Sequence, residues 1–260
     1  VGLNAYINDT SALLHDQGFA FTSKAQLVRW INEARRQCAR RTGCIQRLIS
    51  GQSGFGASMQ PGSIIPGGGQ PGAMPGAFPN AQQNASQNSF MTITGVERYP
   101  LQGFANPYLQ AQHAGCSAIM DVASITVNWG ATTRPALAWM PWEDLQAYAR
   151  AYSALLESYP SVWSVLNDGD NGEVWLFPVP NQPLEMEWTV YAQCSDLNSD
   201  SDYDAIPYGF SNAIKFGAAS LAFFTKQMYA QAQMMEAMFA DRMGTARVAA
   251  DHGKVPNFYA

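Results

Sequence analysis

The chain has 260 residues, enough to bury a sizeable core in one large domain or two smaller ones. Its 15 Lys and Arg against 20 Asp and Glu give a formal net charge of -5, the reverse of the electrostatic footprint of a nucleic-acid-binding protein. Only 13% of residues are charged while 47% are hydrophobic, against about 25% charged in ordinary soluble domains, so Gln, Asn, Ser, Gly and Ala must cover the surface or other chains must bury part of it in a permanent assembly.

In chain order, the first expected element is a short helix at 4–15, with Tyr6, Leu13 and Leu14 among its core contacts. Gly18 separates it from a second helix at 24–44, whose start is specified locally: Ser23 is a good N-cap, and Gln26, three residues on, can close a capping box. Gly43 offers the stop. Leu27, Trp30, Ile31, Ala34 and Cys38 recur at helical spacing and are expected to face a core, whereas Arg29, Arg35, Arg36, Arg40 and Arg41 point mainly elsewhere. That cationic face reads as a solvated surface, as a docking site for an acidic protein partner or subunit, because arginine pairs carboxylates in two-point geometry, or, against the net charge of the chain, as a nucleic-acid contact.

The stretch 51–89 is rich in Gly, Pro, Gln, Asn and Ser with no periodic apolar face. Such a stretch cannot offset its own ordering entropy and reads as a long exposed arm or loop, with Phe55, Ile64, Ile65, Met74 and Phe78 as anchors if neighbours hold it. Strands are expected at 90–96 and 118–129, with a plain connection at 99–115 between them, and a further short strand at 135–140. Pro141 then opens a helix to about 158. A hairpin follows at 161–167 and 173–178, turning at 168–172, with a partner strand at 184–193.

The loop 196–204 carries Asp196, Asp200, Asp202 and Asp204 and no basic residue. Pro207 introduces a single long helix whose apolar positions keep helical spacing to about Met243. After Gly244 the chain turns polar and reads as a tail, in which Val255, Phe258 and Tyr259 look like anchors for a groove. The fold class is therefore α+β: a helical bundle formed by N-terminal and C-terminal helices (1–50 and 207–244), with an inserted β-rich unit carrying one helix (90–206), a long Gly/Pro-rich arm (51–89) and a tail (245–260).

No catalytic residue, metal site or cofactor emerges. The three histidines, His15, His113 and His252, lie apart from any nucleophile motif, and the Gly-rich stretch lacks the Lys-Ser/Thr of a phosphate loop. The four cysteines form no CxxC pair, which argues against zinc and for free thiols in a reducing compartment. Asp196, Asn198 and Asp200 imitate the opening of a calcium loop, but position six is Ser201 and position twelve Pro207. The methionines Met228, Met234, Met235, Met238 and Met243 read as core or subunit packing. The tryptophans Trp139, Trp142, Trp163, Trp175 and Trp188 read as core or interface of the β unit, a sugar platform being the alternative. There is no secretory signal and no apolar run of about 18 residues, against a membrane span. The start at Val1 reads as processing or as a preceding segment.

Taken together, a WINEAR stretch at 30–35 followed by arginines, a VWLFPVP strand at 174–180 and an AIPYGFSNAIKFGAASLAF helix at 205–223 resemble the head-to-tail adaptor, or connector, proteins of tailed bacteriophages, over roughly 3–48 and 90–244. The resemblance implies a structural virion protein of the neck, assembled in the host cytoplasm as a ring of about twelve copies beneath the portal. DNA would pass through its channel without sequence-specific binding. It further implies portal protein and tail or nozzle proteins as partners, with the tail and its Val255, Phe258 and Tyr259 as the portal contact. The faces Arg35, Arg36, Arg40, Arg41 and Asp196, Asp200, Asp202, Asp204 are expected to meet between subunits or to face the portal. The arm at 51–89 is longer than that family leads one to expect. The competing readings are another tail or nozzle subunit and a carbohydrate-binding or hydrolytic module.

Overall fold

A computed structural model describes residues 2–16, 18, 22–51, 90–129, 134–152, 157–166 and 172–252. The arm beyond Gly51, most of the hairpin turn and the tail anchors Val255, Phe258 and Tyr259 lie outside the described residues.

The chain is mixed α+β, as expected. Helix α1 spans Leu3–Leu13 and α2 Lys24–Thr42. The capping box forms at the start of α2, and Gly43 ends it in the left-handed region at φ 59°. Leu27, Ile31, Ala34 and Cys38 are buried as the spacing requires, while Trp30 is half-buried. Arg35 departs from expectation: it is 0% exposed.

The expected single C-terminal helix is instead two, α5 (Tyr208–Thr225) and α6 (Tyr229–His252), packed on each other as a hairpin. The break is a Schellman turn: Met228 N–H donates to Phe223 C=O at 3.0 Å and Gln227 N–H to Phe224 C=O at 3.0 Å. Gln227 takes the left-handed position at φ 60°, where glycine is usual, so no Gly or Pro marked the stop. Gln227→Gly is therefore expected to stabilise the chain by about 1 kcal/mol, read as a rise in the urea midpoint at constant slope. The expected tail start is also displaced, since α6 continues through Gly244 to His252 with Ala232, Met235, Phe239 and Met243 buried on one side.

The β elements differ more. An unforeseen strand, β1 (Gln46–Ser50), pairs antiparallel with β9 (Met186–Cys194), whose other neighbour is β3 (Cys116–Val127). A second sheet has the order β2 (Arg98–Pro100), β7 (Glu173–Phe177), β6 (Val162–Leu166), β4 (Ala138–Trp139). The hairpin β6–β7 forms as expected, pairing Val162 with Phe177, but β9 partners β1 and β3 rather than that hairpin. Residues 90–96 are not a strand: Thr92 N–H bonds Leu184 C=O, Gly95 N–H bonds Pro180 C=O, and the buried Tyr99 hydroxyl contacts Ile93 N–H and Val96 C=O. The expected connection at 99–115 holds β2, a π-helical turn at Leu101–Ala105 and helix α3 (Asn106–Gln112), opened by Pro107. Helix α4 (Trp142–Ala151) ends short of 158, and the short strands β5 (Glu157–Ser158) and β8 (Val179–Pro180) pair in parallel.

Strand β9 alternates buried and half-buried residues throughout, with Met186, Trp188, Val190, Ala192 and Cys194 inside. One continuous core joins these to Ile31, Ala34 and Cys38 of α2, Ile214 and Ala218 of α5 and Phe239 of α6. A smaller cluster, Leu145, Val162 and Phe177, sits under α4. Among the described residues no strand pairs with the outer edge of β1, which is filled by side chains: the Gln112 amide accepts from Ser50 N–H at 3.3 Å and donates to Ser50 C=O at 2.6 Å, and His113 Nε2 meets Leu48 C=O at 2.6 Å.

Candidate assembly interface

The arginine face and the acidic loop do come together, but within one chain. Helix α2 carries Asn32 and Arg35 one turn apart on its buried side, facing the loop that follows β9. The Asn32 amide clamps that loop at two points, accepting from Leu197 N–H at 2.9 Å and donating to Leu197 C=O at 3.0 Å. The Arg35 guanidinium then donates to Asn32 Oδ1 at 3.1 Å, to Ser195 C=O at 2.9 Å and to Asp204 Oδ1 at 2.7 Å. Its side chain is 0% exposed and that of Asp204 1%. From α1, the Tyr6 hydroxyl donates to the other carboxylate oxygen of Asp204 at 2.7 Å.

The remaining loop acids also have partners. Arg36 bridges Glu33 and Asp196. Asp200 accepts from Asn4 N–H at 2.9 Å and so caps α1, whose own N-cap, Gly2, has no side chain to do it. Asp202 closes its own loop on the Asn198 and Ser199 N–H groups, which hold its carboxyl below the usual carboxylate range. Burial opposes but the Arg36 and Gln37 hydrogen bonds prevail at Glu33, whose carboxyl is also lowered. Arg41 pairs with Glu236 of α6 at 2.6 Å. Arg40 alone of the four expected arginines has no ion pair among the described residues; it is exposed and lines a cleft of about 530 Å³ with Asn106, Asp121, Tyr191 and Gln193. Among the described residues no group of three His, Cys, Asp or Glu is placed to hold a metal ion, and no helix is long and apolar enough to cross a membrane.

Burial, and then the neighbouring Asp204 carboxylate, push the Tyr6 phenol well above its ordinary range. Below about pH 10, the unfolded value, both states keep the proton and the full contribution is present. Above it the unfolded chain releases the proton first, so stability is lost as pH rises. Tyr6→Phe is expected to weaken the fold at neutral pH and to flatten its decline above pH 10, measured as denaturant midpoints across pH.

Sequence reasoning named Arg35, Arg36, Asp196, Asp200 and Asp204 and read Tyr6 as a core contact, as it is, but missed the Tyr6 bond to Asp204, Asn32 and the backbone of Ser195 and Leu197. A second surface lies on the α5–α6 hairpin, where Phe224, Met228, Tyr229, Met234 and Met238 are exposed although Met235 and Met243 are buried. Phe224 and Tyr229 meet edge to face at 5.5 Å. Of the tryptophans, Trp163 and Trp188 are core and Trp139 is 61% exposed. Trp142 meets Trp175 edge-on at 4.3 Å, and Arg98 lies over Trp175 at 3.8 Å.

Compared with known families, residues 3–257 match the model described as SU10 adaptor protein. No curated protein matches the chain.

Proposed function

Because the chain belongs to the SU10 adaptor protein family, a family of structural phage adaptors, we propose that it is a head-to-tail adaptor of the virion neck, assembling as a ring beneath the portal. Copies of the chain extend the DNA channel without reading its sequence and offer the tail its docking surface. The family match over nearly the whole chain carries this reading. The low charge of 13% and the exposed apolar side chains of the α5–α6 hairpin support it, since large apolar patches on a folded surface mark contact sites. Negative-stain imaging and mass measurement of the purified chain should find rings of about twelve copies, a closed heterologous assembly, that capture portal protein. A chain that stays monomeric at micromolar concentration and ignores portal protein overturns the proposal.

In this reading, Arg36, Arg40, Arg41, Asp196, Asp200 and Asp202 lie at the subunit or portal contact, and the Arg35–Asp204 pair holds their shape from beneath. The segment 51–89 reaches a neighbour or a tail component, and Val255, Phe258 and Tyr259 reach the portal. Arg40 is the cleanest reporter because it has no ion pair among the described residues to lose. Arg40→Glu, alone or with Arg36→Glu, is expected to impair ring formation or portal capture while leaving the circular dichroism spectrum unchanged. Intact rings and capture in both variants would remove these residues from the contact.

A further inference from the structure

None of the four cysteines is joined in a disulfide, and two of them are brought together by the way α2 ends. The sequence there is CARRTGC, 38–44. Gly43 in the left-handed region, with its N–H on Ala39 C=O at 2.9 Å, turns the chain back over the last turn of the helix. In that geometry the residue after the glycine meets the side chain a turn and a half earlier, here Cys44 and Cys38. Thr42 fixes the turn: its hydroxyl donates to Cys38 C=O at 2.6 Å and accepts from Cys44 N–H at 3.3 Å. One hydroxyl oxygen thus joins the Cys38 carbonyl to the Cys44 amide and holds the two cysteine backbones on either side of it. Cys38 is 0% exposed, whereas Cys44 is half-buried.

We propose that Cys38 and Cys44 form an oxidation site, a dithiol that reacts with a disulfide-class oxidant such as oxidised glutathione and closes to an internal disulfide across the end of α2. Access and acidity set the order. The contact from Cys38, against the opposing effect of burial, holds the Cys44 thiol below its ordinary pKa, while that contact and burial push Cys38 up. The Cys44 sulfur, as thiolate, attacks one sulfur of the oxidant; a bond forms between them, the oxidant's S–S bond breaks, and one glutathione leaves as thiolate. The Cys38 sulfur gives up its proton and attacks Cys44, and its new S–S bond expels the second glutathione thiolate. The two protein protons end on the two glutathione thiols, so the protein loses two electrons and the oxidant gains them. A reducing cytoplasm keeps the site open and an oxidising medium closes it.

The competing pair is Cys116 and Cys194, directly opposed between β3 and β9. The Ser195 N–H to Gly115 C=O bond marks them as a non-hydrogen-bonded pair, where side chains lie closest. Both are buried, at 6% and 2% exposed, and burial pushes both thiols up, Cys194 to about 11. They lack the accessible, acidic entry thiol that Cys44 provides.

The inference does not depend on the adaptor reading. Purified full-length chain is incubated with oxidised glutathione under native conditions, blocked, and digested with trypsin without reduction. Cleavage at Arg40 and Arg41 separates the two cysteines, so the linkage appears as peptide 37–40 joined to 42–47, with thiols titrated in denaturant reduced by two. Cys38→Ser is expected to trap glutathione on Cys44, and Cys44→Ser to abolish both products. Retention of all four thiols, a Cys116–Cys194 linkage formed first, or no trapped adduct in Cys38→Ser overturns the proposal. The peptide map of the parent chain decides the question even if a variant fails to fold.

Discussion

An Asp204→Ala variant is expected to unfold about 3–5 kcal/mol more easily than the parent chain, which at this length lowers Tm by roughly 6–20 °C. The reason is the guanidinium left behind. Arg35 is 0% exposed, so water cannot replace the lost carboxylate, and the Ser195 and Asn32 oxygens that remain are neutral acceptors. Tyr6 and the Ile206 N–H lose an acceptor in the same step, so amide exchange in α1 should quicken before the global transition. Asp196→Ala is the matched control: it removes a carboxylate that is 50% exposed beside an Arg36 that keeps Glu33, and should cost no more than about 1 kcal/mol. Urea titration at pH 7 compares the two. Equal midpoints would show that the Arg35–Asp204 pair is not closed off from solvent.

The second large effect belongs to Phe239, where three helices converge. Its ring is 0% exposed, and a Cβ on Gly217 of α5 would stand 3.2 Å from two of its ring carbons and 3.0 Å from the Ala34 Cβ of α2. Phe239→Ala is expected to cost about 3–5 kcal/mol by transfer and cavity together. Gly217→Leu in the parent chain should cost about 1–3 kcal/mol or more, because the Ala34 Cβ and the Phe239 ring already crowd the place of its first carbon. In the Phe239→Ala background the same leucine enters the vacated volume. The double-mutant cycle should therefore show a favourable coupling above about 1 kcal/mol. Additivity within about 0.5 kcal/mol would deny that these residues share one contact.

What could be read from the chain follows from how local the cause was. The start of α2 rests on Ser23 and Gln26, and its end on Gly43, all within a turn of the boundary, so both were legible. The alternation in β9 was equally plain, but its partner β1 has Gln46, Arg47 and Ser50 among five residues; its strand state comes from pairing with β9, a cause far away in sequence. The α5–α6 break is carried by a glutamine in a glycine's position, a choice that leaves no compositional mark. Arg35 is the instructive residue of the candidate site. It lies four residues after Ile31 and eight after Leu27, on the buried stripe, and its spacing pointed inward while its charge suggested the surface. The partner that makes burial tolerable, Asp204, is 169 positions away, and only the fold brings it there.

The side-chain plug on β1 bears on how copies of this chain can associate. Gln112 imitates the backbone of an absent neighbour by serving both polar groups of Ser50, and His113 occupies Leu48 C=O. A foreign segment seeking to lengthen the sheet there must first evict a helix-borne amide already making both bonds. Growth by strand exchange is thus discouraged along that border, whatever other surface a neighbouring chain meets.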